Sequence, residues 1–268
     1  MRDGLRMFAR LIGVSIRSQM QYRTAFLVAS LGQLLNSAME LCGIWALFTR
    51  FGSLPGWSLP QVAFFFGFAN SAFAIADAVG NGFETLGPTQ IRTGDFERML
   101  LRPRSIVLQL TARDFALRRV GRLASGVVAL LWAGAELGLG WDLARAALFV
   151  FAWLSAVSLF CAIIVLHGTI SFWTVSSLEL MHVLSYGGVE TLQYPMTIYA
   201  RWFRRVFTYV VPFACVSYFP LIAVLGIDDP LGSTRWQQAL APLAGPLFLA
   251  LSLAGFQLGV RHYTSTGS

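Results

Sequence analysis

The sequence predicts an all-α membrane protein with six transmembrane helices, and three observations lead there. Hydrophobic residues make up 56% of the 268 and charged residues only 12%, with a mean hydropathy of +0.63, whereas soluble domains carry about 25% charge. Apolar runs of the length that crosses a bilayer core, roughly 20 residues, recur along the chain. Arginines gather on one side of those runs, as they do when charge sets orientation.

Residues 1–23 read as an interfacial helix. Leu5, Phe8, Leu11, Ile12 and Ile16 recur at helical spacing while Arg6, Arg10 and Arg17 fall elsewhere around the wheel. A first span is expected over 24–48 and a second over 61–80. FGSLPGWSLP joins them, and its Trp57 suits a membrane interface. The region 81–118 is a polar loop. A third span is expected over 120–139, a fourth over 145–172 and a last over 239–260, closed by Arg261 and His262.

The stretch 176–226 has two readings. Either 207–226 is the fifth span, or 178–198 is and 200–226 dips back from outside, a re-entrant segment within an external region 191–238. Arg201, Arg204 and Arg205 favour the first by charge; Pro212 and Pro220 favour the second, because proline breaks a helix. Both give six spans in a single transmembrane domain over 1–268.

Arginine placement predicts the orientation. Arg2, Arg6, Arg10, Arg17 and Arg23 lie before the first span, and Arg92, Arg98, Arg102, Arg104, Arg113, Arg118, Arg119 and Arg122 in and beside the loop. Arg50, Arg145 and Arg235 fall on the other side. Both termini and the 81–118 loop are therefore expected in the cytoplasm.

All 20 basic residues are arginine and none is lysine. A phosphate-binding GxxxxGK[ST] loop needs its lysine, so no such ATP site exists on this chain, and an ATP-driven mechanism would need a separate ATPase subunit. The basic excess flanks apolar runs and does not point to nucleic acid. Cys42, Cys161 and Cys215 sit inside apolar runs without metal-ligand spacing. No GxSxG or HExxH occurs, so no catalytic residue, metal or bound cofactor is expected.

Ionisable groups inside spans are costly and mark either neutralised pairs or a polar path. Glu40, Asp77, His167, Glu179, His182 and Glu190 are the candidates, with Glu40, Asp77 and Glu190 the ones that could line a path or a subunit seam. They also motivate an alternative reading, an ion-coupled secondary transporter. A purely structural membrane protein is a third.

Within the loop, IRTGDFERMLLRP forms a compact amphipathic insert between Gly87/Pro88 and Pro103. Phe83, Leu86, Ile91, Phe96, Met99 and Leu100 can align as an apolar ridge, Gly94 can break or cap the helix, and Asp95 and Arg102 match the helix dipole. Such a helix could lie over the bundle as a lid or fill a groove on a partner.

GDFERMLLRP at 94–103, FWTVSSLEL at 172–180, and YPMTIYARWFRR with YVVPFACVSYFP between 194 and 220 resemble the ABC-2 type permeases of ATP-binding-cassette exporters, in the six-span branch found as paired permeases. The resemblance covers essentially the whole chain. It implies a type V exporter-like fold with a cytoplasmic coupling helix between spans two and three, seated in a cleft of a separate ATPase. Phe83, Ile91, Gly94, Asp95, Phe96, Glu97, Arg98, Leu100, Leu101 and Pro103 would form that coupling region. Phe96, Glu97, Arg98 and Leu100 would make the contacts. Two ATPase subunits carrying ATP and Mg, and a second permease chain, identical or a sister protein, would complete the exporter in a bacterial inner membrane. The family also favours the re-entrant reading of 200–226. An apolar path, with Phe64, Phe65, Phe66 and Phe68 as lining or as plain core, points to an amphipathic, lipid-like or drug-like cargo.

Overall fold

The computed structural model describes residues 13–52, 56–113, 115–174 and 179–263. Those residues are built from helices: α1 (Arg23–Phe51), α2 (Leu59–Glu84), α3 (Asp95–Leu100), α4 (Ile106–Arg113), α5 (Val120–Glu136), α6 (Leu143–Ile170), α7 (Glu179–Leu192), α8 (Arg201–Tyr209), α9 (Phe213–Val216), α10 (Tyr218–Leu225), α11 (Arg235–Leu240) and α12 (Ala244–Arg261). Among the described residues four stretches are long and apolar enough to cross a membrane: Arg23–Phe51, Leu59–Ile91, Leu143–Ile170 and Arg235–Arg261. They coincide with the expected first, second, fourth and last spans. The expected third is α5, of 17 residues, and 178–198 contains α7, of 14.

Local chemistry sets the helix starts. The Ser58 amide donates to Gln61 Oε1 at 2.9 Å beside Pro60, and Asp142 Oδ1 accepts from the Arg145 amide at 2.6 Å. Proline also explains the fifth segment. At Pro212 the chain loses a backbone donor, and the helix pair Arg201–Tyr209 and Phe213–Leu225 bends by 71°. The segment 207–226 is thus interrupted at Pro212, the shape of either a broken span or a re-entrant piece.

Contacts place this broken segment at one end of the bundle. Trp57, in the turn between α1 and α2, donates from Nε1 to Thr197 Oγ1 at 2.8 Å and packs edge-on to Tyr218. Gly226 lies beside Arg145 at the start of α6. The 85–113 loop lies at the opposite end, with the last turn of α12.

Helix α2 is the centre. Its apolar window is 89% buried, against 6% for α1. Phe64 and Phe68 pack on Phe149, Phe65 on Trp57, and Phe73 between Phe160 and Tyr186. These phenylalanines are core residues. Between apolar helices in lipid, close approach through small residues and interhelical hydrogen bonds supplies much of the association. Both are present. A Cβ on Gly67 would meet Gly126 O at 2.6 Å and the Leu130 amide at 2.7 Å, so α2 and α5 touch backbone to backbone. Ser125 Oγ donates to Ser37 Oγ at 2.7 Å, tying α5 to α1, and Trp153 Nε1 to Ser71 Oγ at 2.9 Å, tying α6 to α2.

Residues 13–21 are helical, consistent with the expected interfacial helix; its residues 1–12 lie outside the described set. Gln19 anchors this segment, donating to Phe115 O at 2.5 Å and accepting from the Leu117 amide at 3.1 Å. Between α10 and α11, Asp229 organises the connection. Its Oδ1 accepts from Tyr218 Oη at 2.6 Å and the Leu231 amide at 2.9 Å, and its Oδ2 from the Ser233 amide at 2.9 Å. Burial opposes its ionisation, but the hydrogen bonds from Ser233, Tyr218 and Leu231 prevail and hold the carboxyl below its ordinary range.

Two outcomes follow. Gly67→Val should cost about 1–3 kcal/mol by overpacking, whereas Gly134→Ala, with open space around its Cβ, should leave thermal unfolding in detergent unchanged or raised. Asp229→Asn should cost about 1 kcal/mol at neutral pH. Because the native carboxyl ionises below the unfolded one, its contribution is complete above the unfolded value of about 3.9 and disappears as pH falls through the native one. The gap between variant and parent should therefore close on acidification below about pH 4, read from unfolding at several pH values.

Candidate functional site

The loop after α2 grows directly out of that central helix. At Glu84 the helix continues into a π-helical turn, Leu86–Ile91, in which the Arg92 amide reaches back to Gly87 O at 3.1 Å. Pro88 lacks a backbone donor, and such wide turns relieve a disrupted ladder. Gly94 then takes a left-handed conformation, φ +74°, that a side chain would strain, and caps α3. Asp95 and Glu97 occupy the first turn of α3, and Asp95 pairs with Arg98 at 3.1 Å. The amphipathic insert is thus one short helix with Gly94 at its start and an irregular turn containing Pro103 after it.

Its two faces meet different surroundings. Phe96 is fully buried, with ring centroids 5.3 Å from Phe172 and 5.0 Å from Tyr263. Met99 is buried beside it, and Gln109 Nε2 donates to Met99 O at 3.2 Å and Arg104 O at 3.3 Å, stapling α3 to α4. Gly82 lies flush against the Leu110 carbonyl, so α4 is held on α2 with no room for a side chain. The opposite face is open: Glu97, Arg98, Leu100, Leu101 and Pro103 are exposed, Leu101 at 86%.

The expected ridge therefore points inward. Phe83, Leu86, Ile91, Phe96 and Met99 are buried and only Leu100 emerges. Phe96 is not an exposed contact, because its ring fills the space between α3, Phe172 and the end of α12. Gly94 and Asp95 are partly buried at the helix start. Gln109, Phe172 and Tyr263 are the residues that composition and spacing missed. The aromatic pair lies far along the chain, and no local pattern announces it.

Beside this loop, the N-terminal helical segment leaves a cleft of about 740 Å³ lined by Ser18, Asn81, Asp95, Arg98, Arg102 and Arg118.

Above it sits a cluster of buried charge. Asp77, fully buried in α2, meets Arg119 Nε at 2.8 Å, an ion pair without hydrogen-bond alignment. Arg119 also donates from Nη2 to Tyr186 Oη at 3.3 Å. Arg122 lies 3.8 Å from Glu40 and 5.2 Å over the Phe73 ring. Glu40 further accepts from Asn36 Nδ2 at 2.7 Å. Glu190 is exposed and accepts from Gln193 Nε2 at 3.4 Å. Of the three path candidates, Glu40 and Asp77 are thus neutralised by arginines of the α5 entrance, joining α1, α2 and α5. Glu190 forms no ion pair with either arginine but lies within electrostatic reach of Glu40 and Arg122.

Removing one member of a buried pair leaves the other uncompensated, at a cost of about 3–5 kcal/mol, whereas replacing both by apolar residues of similar size is nearly neutral. Asp77→Ala should therefore destabilise the purified protein strongly, and the double variant Asp77→Leu with Arg119→Met should recover most of the loss in thermal unfolding. Equal damage from both would remove the pair from the account.

A family profile described as "ABC-2 family transporter protein" matches residues 34–267, which takes in all of this geometry apart from the N-terminal segment and the start of α1. Comparison with curated proteins finds no match, and neither does comparison with solved structures.

Proposed function

We propose that this chain, which belongs to the ABC-2 transporter family, drives export as one half of a paired membrane channel whose loop 85–105 is seated on a partner ATPase. Family membership makes it a multi-pass membrane protein and the permease of an ABC transporter, a transport component paired with an ABC ATPase. The finer reading is ours. The six crossings are α1, α2, α5, α6, α7 and α12; α5, at about 1.5 Å per residue, reaches about 26 Å, close to the bilayer core. Segments α8–α10 form the re-entrant piece. The arginine-rich end, with the loop, faces the cytoplasm.

One observation carries the coupling role. Helix α3 is clamped from below by Phe96, Met99 and Gln109, yet Glu97, Arg98, Leu100 and Leu101 on its outer face are exposed among the described residues. A lid would need only the inner face. A clamped helix with an open mixed face suits a groove on a partner. Glu97, Arg98, Leu100 and Leu101 make the contact, Gly94, Asp95 and Pro103 shape the helix, and Phe83, Ile91 and Phe96 transmit its displacement to α2 and α12. ATP and Mg bind two partner ATPase subunits, and a second permease chain, identical or a sister protein, completes the path through a bacterial inner membrane. Amphipathic, lipid-like or drug-like molecules are the cargo class that the apolar walls favour. The ion pairs of Glu40 and Asp77 support a structural role for them over the proton relay that a secondary transporter would need.

Leu101→Asp and Arg98→Glu should each weaken ATPase co-purification by about tenfold or more, as loss of an interface anchor does, with unfolding temperature unchanged. Phe96→Ala should lower that temperature as well, because it empties a core position. Normal ATPase association in both surface variants would take α3 out of the interface.

A further inference from the structure

At the end of the bundle opposite the docking loop, an open cavity of about 800 Å³ lies between α8 and α11. Arg201, Arg204 and Arg205 line one side. Their spacing puts all three on one face of α8, a helix with no buried residue. Phe219, Trp236 and Leu240 line the other side. Among the described residues no carboxylate lies within ion-pair distance of these three guanidinium groups. Of the two acids in the adjoining connection, Asp229 is already committed to Tyr218, Leu231 and Ser233, and Asp228 is exposed and makes no ion pair with the three arginines. Three cations are thus grouped without a partner at the end of the molecule where charge patterning otherwise keeps arginine scarce.

We infer that this cavity is a binding site for an anionic phospholipid, its phosphate held by Arg201, Arg204 and Arg205 and its acyl chain laid along Phe219, Trp236 and Leu240. Guanidinium groups recognise phosphate through paired N–H donors. The same neighbourhood carries exposed Trp202, Tyr209 and Trp236, amphipathic rings of the kind that sit at headgroup depth. That aromatic setting selects a ligand arriving from the bilayer over a free anion arriving from water. A lipid held here would neutralise the arginines and brace the bent segment α8–α10 against α11. The inference rests on the permease reading only for the side of the membrane on which the site lies.

The test uses the full-length chain in neutral detergent, without ATP, so its outcome is independent of transport. Short-chain phosphatidylglycerol and short-chain phosphatidylcholine are titrated separately and binding is read by thermophoresis. The parent should prefer phosphatidylglycerol by about tenfold or more, given three basic side chains at the headgroup. The triple variant R201Q/R204Q/R205Q should bind both lipids alike, and Trp236→Ala should weaken both. If the triple variant does not fold, Arg204→Gln and Arg205→Gln should each reduce the preference by roughly threefold. Equal binding of the two lipids by the parent, a preference that survives in the arginine variants, or displacement of phosphatidylglycerol by equimolar inorganic phosphate would overturn the proposal.

Discussion

The burial of α2 on every side is the constraint on which the rest depends. A helix surrounded by other helices has no lipid face to absorb error, so each neighbour must fit it. Gly67 admits α5, Gly82 admits α4, and the phenylalanines fill what the glycines leave to α6 and the Trp57 turn. Burial also decides the fate of Asp77. A carboxylate in that position survives only beside cations, and Arg119 and Arg122 at the entrance of α5 supply them. The packing of the helix and the pairing of Asp77 therefore fix α2 and the α5 entrance at the same end, where Arg122 and Glu40 bring in α1.

That end is where the docking loop begins, and the continuity matters for mechanism. Between α2 and α3 the backbone passes through a π-helical turn and a single left-handed glycine, and α4 returns flush against Gly82. Helix α3 is thereby joined to the buried helix α2 and, through Phe96, Phe172 and Tyr263, to the end of α12. At the far end the chain is built differently. Helices interrupted at proline, an aspartate-organised connection and an open arginine-lined cavity make up that region.

Much of this was legible in the chain. Apolar runs located the four long spans, because length and hydropathy leave few alternatives inside a bilayer. Local chemistry offered Gly94 as a break or a cap and Asp77 as a neutralised or path-lining acid, and in each case the geometry decides: Gly94 caps α3 and Asp77 meets Arg119. The direction of the α3 ridge did not. Periodicity shows that a helix has two faces, but whether the apolar one meets its own bundle or a foreign groove depends on Phe172 and Tyr263, which are remote in sequence. The fifth segment is ambiguous for a physical reason: Arg201, Arg204 and Arg205 argue for one placement by charge, whereas Pro212 interrupts the helix and Tyr218 packs against Trp57. Glu40 had no visible partner until α5 brought Arg122 beside it.

The central claim is that this chain converts work done on α3 by a separate ATPase into movement of cargo. It is tested most directly by reconstituting the chain with its co-purifying ATPase in vesicles and following an amphipathic fluorescent cargo. ATP supplied without an ion gradient should sustain transport, and a proton gradient supplied without ATP should not. Transport sustained by the gradient alone, with the ATPase left out, would contradict the account.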